Sequence, residues 1–462
     1  METNEQHAFA GIPPSASVLP FALFVTTAIG LSFLGIADIN LLIAVGIVAI
    51  IGGSAFANDS QSYWDTIFSF FGSKTAVTAS LLWLIVGVYG NILKEGHIVE
   101  GLVWAVAFFD LNGAAFTLAT FLFSGLFAIS TGSGFGTISA MSLTLFPAGI
   151  AVGCDAALLG GAILSGAALG DSISPVSDTA VIAATTQQYE EGGRVADVGG
   201  TVHYRLPLVL CSFVLSVVVF CLAGSWNTDT SISAFEIHPD DYKGLFLLLP
   251  TLVMMMLAFR KFNIFVSLFI SIVVAVVLGL TMHLFSLTNL IGMEDGHIGG
   301  AVVDGIGGMA NICLLLMVVV SLSGLIIRSG CMEQTITCLN AHITHSQRKT
   351  ELTIFVLVAI VGILIAAVNT IANICIAPFV NDIGRQQGIH PYRRSAILAT
   401  VICTFPFILP YGGCLLLLMK GVEASGTGIE LEATDMFFTA FYPWVLLICS
   451  LTTCFIHHKK LI

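Results

Sequence analysis

The chain has 462 residues, of which 56% are apolar and only 10% are Asp, Glu, Lys or Arg, against roughly 25% charged residues in an ordinary soluble domain. So little charge cannot cover a soluble globule of this size, so a secreted enzyme, a nucleic-acid-binding protein and a disordered hub all fit poorly. The composition, with a mean hydropathy of +0.97, predicts an all-α polytopic membrane protein with the lipid bilayer as its first partner. The net charge of −12, from 16 basic and 28 acidic residues, turns the question to where the acids sit.

The first 18 residues carry Glu2 and Glu5 but no Lys or Arg, the wrong sign for a cleavable signal peptide. Apolar segments then follow at 19–35, 41–57, 75–94, 114–130, 138–153, 160–188, 201–224, 245–259, 263–285, 306–327, 351–368, 371–384, 395–419 and 436–456. Several are shorter than the ~20 residues a full span needs. Short pieces beside Gly, Pro or polar breaks predict interrupted or re-entrant helices.

Loop charge sets the orientation. Arg260 and Lys261, then Arg385, Arg393 and Arg394, then Lys459 and Lys460 mark the cytoplasmic side, whereas loops 225–244 and 420–435 are acidic. This places the C-terminus in the cytoplasm, and counting spans backward places the N-terminus there too.

Two stretches echo one another. Ala162-Ile163-Leu164 opens a segment that breaks around Pro175, and Ala396-Ile397-Leu398 opens one that breaks around Pro410. Upstream of each lies another interrupted apolar segment, at Ser130–Gly134 and at Asn369–Asn373. The charge-derived orientation runs the paired segments in opposite directions, as in the inverted repeats of secondary transporters. The expected organisation is N-terminal scaffold helices over 1–74, a first repeat over 75–224, an extracytoplasmic loop over 225–244 and a second repeat over 245–462.

Ionisable residues at membrane depth are costly and point to function. The sharpest cluster is Gly170-Asp171-Ser172-Ile173-Ser174-Pro175-Val176-Ser177-Asp178-Thr179, set between apolar runs. Pro175 removes a backbone donor and breaks the helix, and the carbonyls it frees need a partner that lipid does not offer. Na⁺ is a hard ion that takes carboxylate, hydroxyl and carbonyl oxygens, so Asp171 and Asp178 are the candidate metal ligands, with Ser174, Ser177 and Thr179 around them. Helix N-termini beside the break could instead hold an anionic group. Desolvation and a like-charged neighbour also suit these carboxylates to carry protons. A site that holds either a proton or a metal cation, and reorients only when loaded, is a physical basis for exchange.

Further pathway candidates are the unwound stretch Ser130–Thr137, with Thr131, Ser133, Gly134 and Thr137, the pair Asn369 and Asn373 one helical turn apart, Tyr411 in Leu409-Pro410-Tyr411-Gly412-Gly413, and Asp155. Helix packing through small residues, interhelical hydrogen bonds and kinks are the plain alternatives for these. Asp38, Asp110 and Asp304 are expected at the interface. Cys338, His342 and His345 have zinc-like residue types but lack a fourth ligand, and the other cysteines read as packing residues. No nucleophile–base set, metal motif or nucleotide loop points to an enzyme, and no cofactor is expected beyond transported Na⁺ and H⁺.

The run Gly170-Asp171-x-x-Ser174-Pro175-x-Ser177-Asp178-Thr179 resembles the signature of the NhaC family of Na⁺/H⁺ antiporters, and Thr201-Val202-His203-Tyr204-Arg205-Leu206-Pro207 is similar to the His-x-x-x-Leu-Pro segment that follows it in some branches. The resemblance implies inverted repeats with broken helices, a transport domain moving against a scaffold, a homodimer, and a site at Asp171, Ser174, Ser177, Asp178 and Thr179. Ser172 stands where many members carry Lys or His, and Thr179-Ala180-Val181-Ile182-Ala183 replaces their Thr-Thr-Asn-Leu-Ala. A missing basic residue changes local charge by about one unit, enough to alter ion preference. The expected function is Na⁺/H⁺ antiport across the cytoplasmic membrane. The alternative is a Na⁺- or H⁺-coupled transporter of a small organic solute, an amino acid or an organic acid.

Overall fold

The computed structural model describes residues 11–34, 39–98, 100–101, 104, 113–175, 177–189, 194–226, 240–260, 262–294, 297–331, 346–366, 369–425 and 427–455. Asp38, Asp110, Cys338, His342, His345, Lys261, Lys459 and Lys460, and most of the loop expected at 225–244, lie outside the described residues.

Every apolar segment read from the sequence overlaps a helix. The N-terminal helices α1 (Pro14–Phe33), α2 (Ile39–Ser54), α3 (Ser60–Phe71) and α4 (Lys74–Glu95) come first. α3 has no counterpart among the expected segments, because its apolar residues alternate with Ser, Gln and Asp and it is only 12 residues long. Asp59 caps it by accepting from the Gln61 amide at 3.1 Å, and it buries Tyr63, Thr66 and Ile67.

The chain continues through α5 (Gly113–Thr131), α6 (Gly134–Ala151), α7 (Ala156–Ile173), α8 (Asp178–Thr185) and α9 (Val198–Trp226). A 3₁₀ turn, Asp241–Leu247, leads into α10 (Leu248–Phe259) and α11 (Ile264–Thr281). Past the short α12 (Leu287–Leu290), strands β1 (Gly292–Glu294) and β2 (His297–Gly299) form an antiparallel hairpin. Then come α13 (Ala301–Arg328), α14 (Gln347–Leu364), α15 (Asn369–Gln386), α16 (Pro391–Ile402), α17 (Phe405–Ile408), α18 (Gly413–Ala424), α19 (Ala433–Thr439) and α20 (Phe441–Phe455).

Among the described residues, seven stretches are long and apolar enough to cross a bilayer, and α19 with α20 forms a further pair bent by 52°. The protein is therefore a multi-pass membrane protein. The outer face of α9 leaves Leu210, Val214, Leu215, Val218 and Leu222 exposed, as a lipid-facing helix requires. Asp304 sits exposed in the first turn of α13.

Without a hydrophobic driving force between helices in lipid, close approach through small residues supplies the packing. α4 and α13 cross at Gly87 and Gly305, where a Cβ on Gly87 would come within 2.4 Å of the Gly305 carbonyl oxygen. α5 and α7 meet at Gly125, Gly166 and Gly170 in the same way. α2 and α3 pack on α13 as well, so the N-terminal helices lean on an element from late in the chain.

The two halves are tied at the basic end. The segment after α8 donates its Gln188 amide to Asn381 Oδ1 at 2.8 Å, and the Gln187 side-chain amide donates to the Ala377 carbonyl at 3.2 Å. Arg394 donates to the carbonyls of Asn381 and Gln188. Arg393 pairs with Glu351 at 2.9 Å. Both arginines are buried in the first turn of α16, so two of the charges that mark this side in the sequence also clamp helices together.

His390 caps α16 by accepting from the Tyr392 amide at 3.3 Å, beside the rings of Tyr189 and Tyr392. Partial desolvation, and then the Arg394 guanidinium, hold its pKa below the ordinary 6.5. The folded value is depressed, so this group's contribution to stability is complete above about pH 6.5 and is lost as pH falls through the folded value, when protonation removes the acceptor. Lowering the pH from 7 to 5 is expected to reduce the protection of the Gln188 and Ala196 amides in the native chain, measured against the exchange of an unstructured peptide at the same pH. That protection is expected to stay constant in His390→Asn, and an equal loss in both would remove His390 from the junction.

Candidate functional site

Asp171 occupies the last turn of α7 and is 7% exposed. Its carboxylate is held by three neutral donors. Ser177 Oγ donates to Oδ1 at 2.5 Å. Asn369 Nδ2 donates to Oδ2 at 2.9 Å, and the Cys403 thiol donates to the same oxygen at 3.6 Å. These donors come from the break after α7, the first residue of α15 and the C-cap of α16.

Local sequence explains each placement. Pro175 ends α7, and Ser177 stands at the N-cap of α8 yet makes no side-chain cap bond, because its hydroxyl turns to Asp171 instead. Ser174 caps the C-terminus of α7 and donates from Oγ to the Ile129 carbonyl at 2.9 Å, which ties this break to the end of α5. The second half repeats the arrangement: Gly413 N–H donates to the Ala366 carbonyl at 3.2 Å and Tyr411 donates to the Ile363 carbonyl at 2.7 Å. In each half the later break is fastened to the end of the earlier helix.

On the helix that reaches the carboxylate lie polar atoms with nothing to bond. Asn369 Oδ1, Asn373 Oδ1 and Asn373 Nδ2 are buried without hydrogen-bond partners, a costly state unless something else fills the valence. Asn373 is fully buried one turn beyond Asn369. Turning the Asn369 amide would point its oxygen where the amide hydrogen now meets Asp171. Asp171, Ser177, Asn369 and Asn373 thus offer carboxylate, hydroxyl and amide oxygens, the ligand types that suit a hard cation.

The other sequence candidates fall into two sets. Gly134 abuts the site: a Cβ there would lie 3.8 Å from Asp171 Cβ and 2.9 Å from the Phe407 ring. Thr179 is buried, near the Cys403 thiol. Asp178, in the first turn of α8, is exposed and acts on Asp171 through its charge.

The remaining candidates serve the framework. Ser133 caps α6, accepting from the Gly136 amide at 3.1 Å, and Thr137 donates to the Ser133 carbonyl at 2.9 Å. Thr131 ends α5. Tyr411 spends its hydroxyl on the Ile363 carbonyl and packs edge-on against Phe21 at 6.3 Å. Asp155 caps α7, accepting from the Leu158 amide at 2.8 Å, and sits about 24 Å along the helix from Asp171. Among the described residues no cluster of three or more His, Cys, Asp or Glu side chains could hold a metal ion.

Three side chains at the site escape a reading of the polar islands. Cys403 lies in an apolar run and looks like packing. Tyr442, at the start of α20, bonds Ser172 at 2.7 Å and donates its amide to Ser165 Oγ at 3.2 Å. Arg205 is the one with a sequence signal, a guanidinium inside the apolar α9.

A family model described as the Na⁺/H⁺ antiporter family matches residues 10–196 and 196–449. The chain is 28% identical over 200 residues to the malate-2H⁺/Na⁺-lactate antiporter of Bacillus subtilis, covering 41% of each chain. It is 26% identical over 271 residues to the Na⁺/H⁺ antiporter NhaC of Alkalihalophilus pseudofirmus, covering 54% of each. It is 27% identical over 211 residues to the arginine/ornithine antiporter ArcD of Halobacterium salinarum, covering 42% of each. The chain thus spans about half the length of these curated relatives.

Proposed function

We propose an exchange reaction from one premise: this chain belongs to the Na⁺/H⁺ antiporter family. It trades Na⁺ for H⁺ across the cytoplasmic membrane by alternating access. The observation that carries this reading is the buried Asp171 carboxylate, held by neutral donors from both halves of the chain and flanked by the unpartnered amide oxygens of Asn369 and Asn373. A carboxylate held only by neutral donors is ready either to take a proton or to gather Na⁺ once Ser177 and Asn369 turn their oxygens toward the ion. One site with two mutually exclusive cations couples their movements without any further device, provided the empty site stays put.

Residues 75–224 and 245–462 serve as two inverted repeats, which the paired fastenings of the breaks support. Asp178, exposed at the start of α8, supplies a second negative charge along the ion's route. The termini face the cytoplasm and the chain works as a homodimer in the cell membrane. Na⁺ and H⁺ are cargo, and no separate cofactor takes part.

The names of the Bacillus subtilis and Halobacterium salinarum relatives favour a second reading, in which the same Na⁺ or H⁺ site drives exchange of an organic acid or an amino acid. One experiment separates the two. In vesicles carrying the native chain, an imposed Na⁺ gradient is expected to drive protons in the opposite sense with no organic solute present. Absence of that proton movement overturns antiport of Na⁺ alone, and flux that appears only with a particular amino or organic acid establishes the second reading.

A further inference from the structure

Arg205 is 1% exposed, and its Nε, Nη1 and Nη2 all lie out of solvent with no hydrogen-bond partner. A guanidinium stays charged and carries five N–H donors, so leaving it unpaired in the interior is costly. The chain's other deeply buried arginines are spent on structure: Arg393 bonds Glu351 and Thr453, and Arg394 bonds two carbonyls. Arg205 holds nothing in place by such bonds.

Its position is informative. α9 packs on α7, α8, α16 and α20, the elements that build the Asp171 site. The guanidinium lies within electrostatic reach of the Asp171 carboxylate, with the neutral Cys403 and Tyr442 nearby. Cys403 touches the Asp171 carboxylate and Tyr442 bonds its neighbour Ser172. The carboxylate oxygens are engaged by Ser177, Asn369 and Cys403, so Arg205 acts on the site as a charge at a distance.

We infer that Arg205 supplies a fixed positive charge that lets the Asp171 site accept monovalent cations and reject divalent ones. The inference rests on the Na⁺ site proposed above. Oxygen ligands alone do not make this selection, because Ca²⁺ takes the same carboxylate, hydroxyl and amide oxygens and is close to Na⁺ in size. Attraction to a carboxylate by itself favours the divalent ion. Repulsion from a fixed cation grows in proportion to the charge of the incoming ion. Its penalty in affinity for Ca²⁺ is therefore the square of its penalty for Na⁺, and the balance tips to the monovalent ion. Arg205 is a positioning charge here, not a ligand.

The test uses the full chain in vesicles at one alkaline pH, with Na⁺ flux and Ca²⁺ inhibition measured side by side. Arg205→Gln and Arg205→Met remove the charge, and Arg205→Lys keeps it. Removal is expected to lower KM for Na⁺ by about tenfold with a smaller change in kcat, and to lower the Ca²⁺ inhibition constant by about a hundredfold, the square of the first factor. Arg205→Lys is expected to restore both constants toward the native values. Equal factors for the two ions, or a Lys variant that behaves like Gln, would overturn the inference. So would failure of both neutral variants to fold, since that would make the guanidinium a structural tie.

Thermal stabilisation of the purified chain by Na⁺ and by Ca²⁺ reads the same affinities without flux. If the native chain shows neither Na⁺ flux nor stabilisation by Na⁺, the Na⁺ site itself falls and the selectivity with it. If the native chain shows both and the two ions shift alike in the variants, only the role of Arg205 falls.

Discussion

Asp171→Asn is expected to abolish Na⁺-driven proton movement while leaving the chain folded. The amide matches the carboxylate in shape, so Ser177 keeps an oxygen to donate to and the helices keep their packing. What is lost is the one buried negative charge of the site and the atom that takes the proton. Leaving a buried cation without its counter-charge costs about 3–5 kcal/mol, which at 1.4 kcal/mol per tenfold is a fall of at least about 100-fold in Na⁺ affinity.

Flux in vesicles, with gel-filtration behaviour as the folding control, decides the matter, and near-native exchange would dismiss Asp171 as the site. Asp178→Asn is the informative comparison. Asp178 is exposed and is not among the groups that hold the Asp171 carboxylate, so its loss is expected to slow exchange and not to end it. A complete loss there would make Asp178 a second ligand.

Gly170→Leu is expected to be the most damaging packing change near the site. A Cβ at Gly170 would stand 2.0 Å from Ala128 Cβ and 2.6 Å from the Ile129 amide nitrogen. The obstacle includes backbone, which cannot rotate away, so α5 and α7 must separate. Forcing extra methylenes into a packed interior costs about 1–3 kcal/mol, and a backbone collision sits at or above the upper end. The displaced residue adjoins Asp171, and a misplacement of about 1 Å at such a site is enough to cost 100-fold in rate.

Gly170→Ala should show the same effects in smaller measure. Gly52→Ala is the control, since nothing lies within 4 Å of its Cβ and alanine favours a helix by about 1 kcal/mol over glycine. Thermal unfolding in detergent and Na⁺ flux report the two consequences separately. Equal melting temperatures for Gly170→Leu and Gly52→Ala would show that α5 and α7 do not meet as closely as described.

Much of this was legible in the sequence, for a physical reason. In lipid the apolar runs have to be helices, and a Pro among hydroxyls and carboxylates has to be a break, so the segment 160–188 already carried the division into α7 and α8. Asp171, Ser177 and Asn369 were readable because a polar residue at membrane depth needs a partner. Their partnership across 198 positions was not, since nothing local in a sequence records which distant helix supplies a donor.

Tyr411 and Asp155 are not among the groups that hold Asp171, for the opposite reason. Each is a polar group that meets its needs within its own neighbourhood, a carbonyl for one and a helix end for the other. Cys403 was invisible because a thiol that donates to a carboxylate and a thiol that fills a gap have the same apolar surroundings.

The three donors to Asp171 also set an order of events during biogenesis. Asn369 and Cys403 follow Asp171 by 198 and 232 residues. At translation rates of about 5–20 residues per second, α7 reaches the translocon about 10–40 s before Asn369 is made. An aspartate near the middle of a nascent span, as Asp171 is in Ala156–Thr185, opposes insertion by about 2.5–3.5 kcal/mol. The broken span of α7 and α8 is therefore expected to settle late, after the second half arrives to receive it. Messages truncated before codon 369 should yield a first half that stays accessible to aqueous reagents and is cleared by membrane proteases.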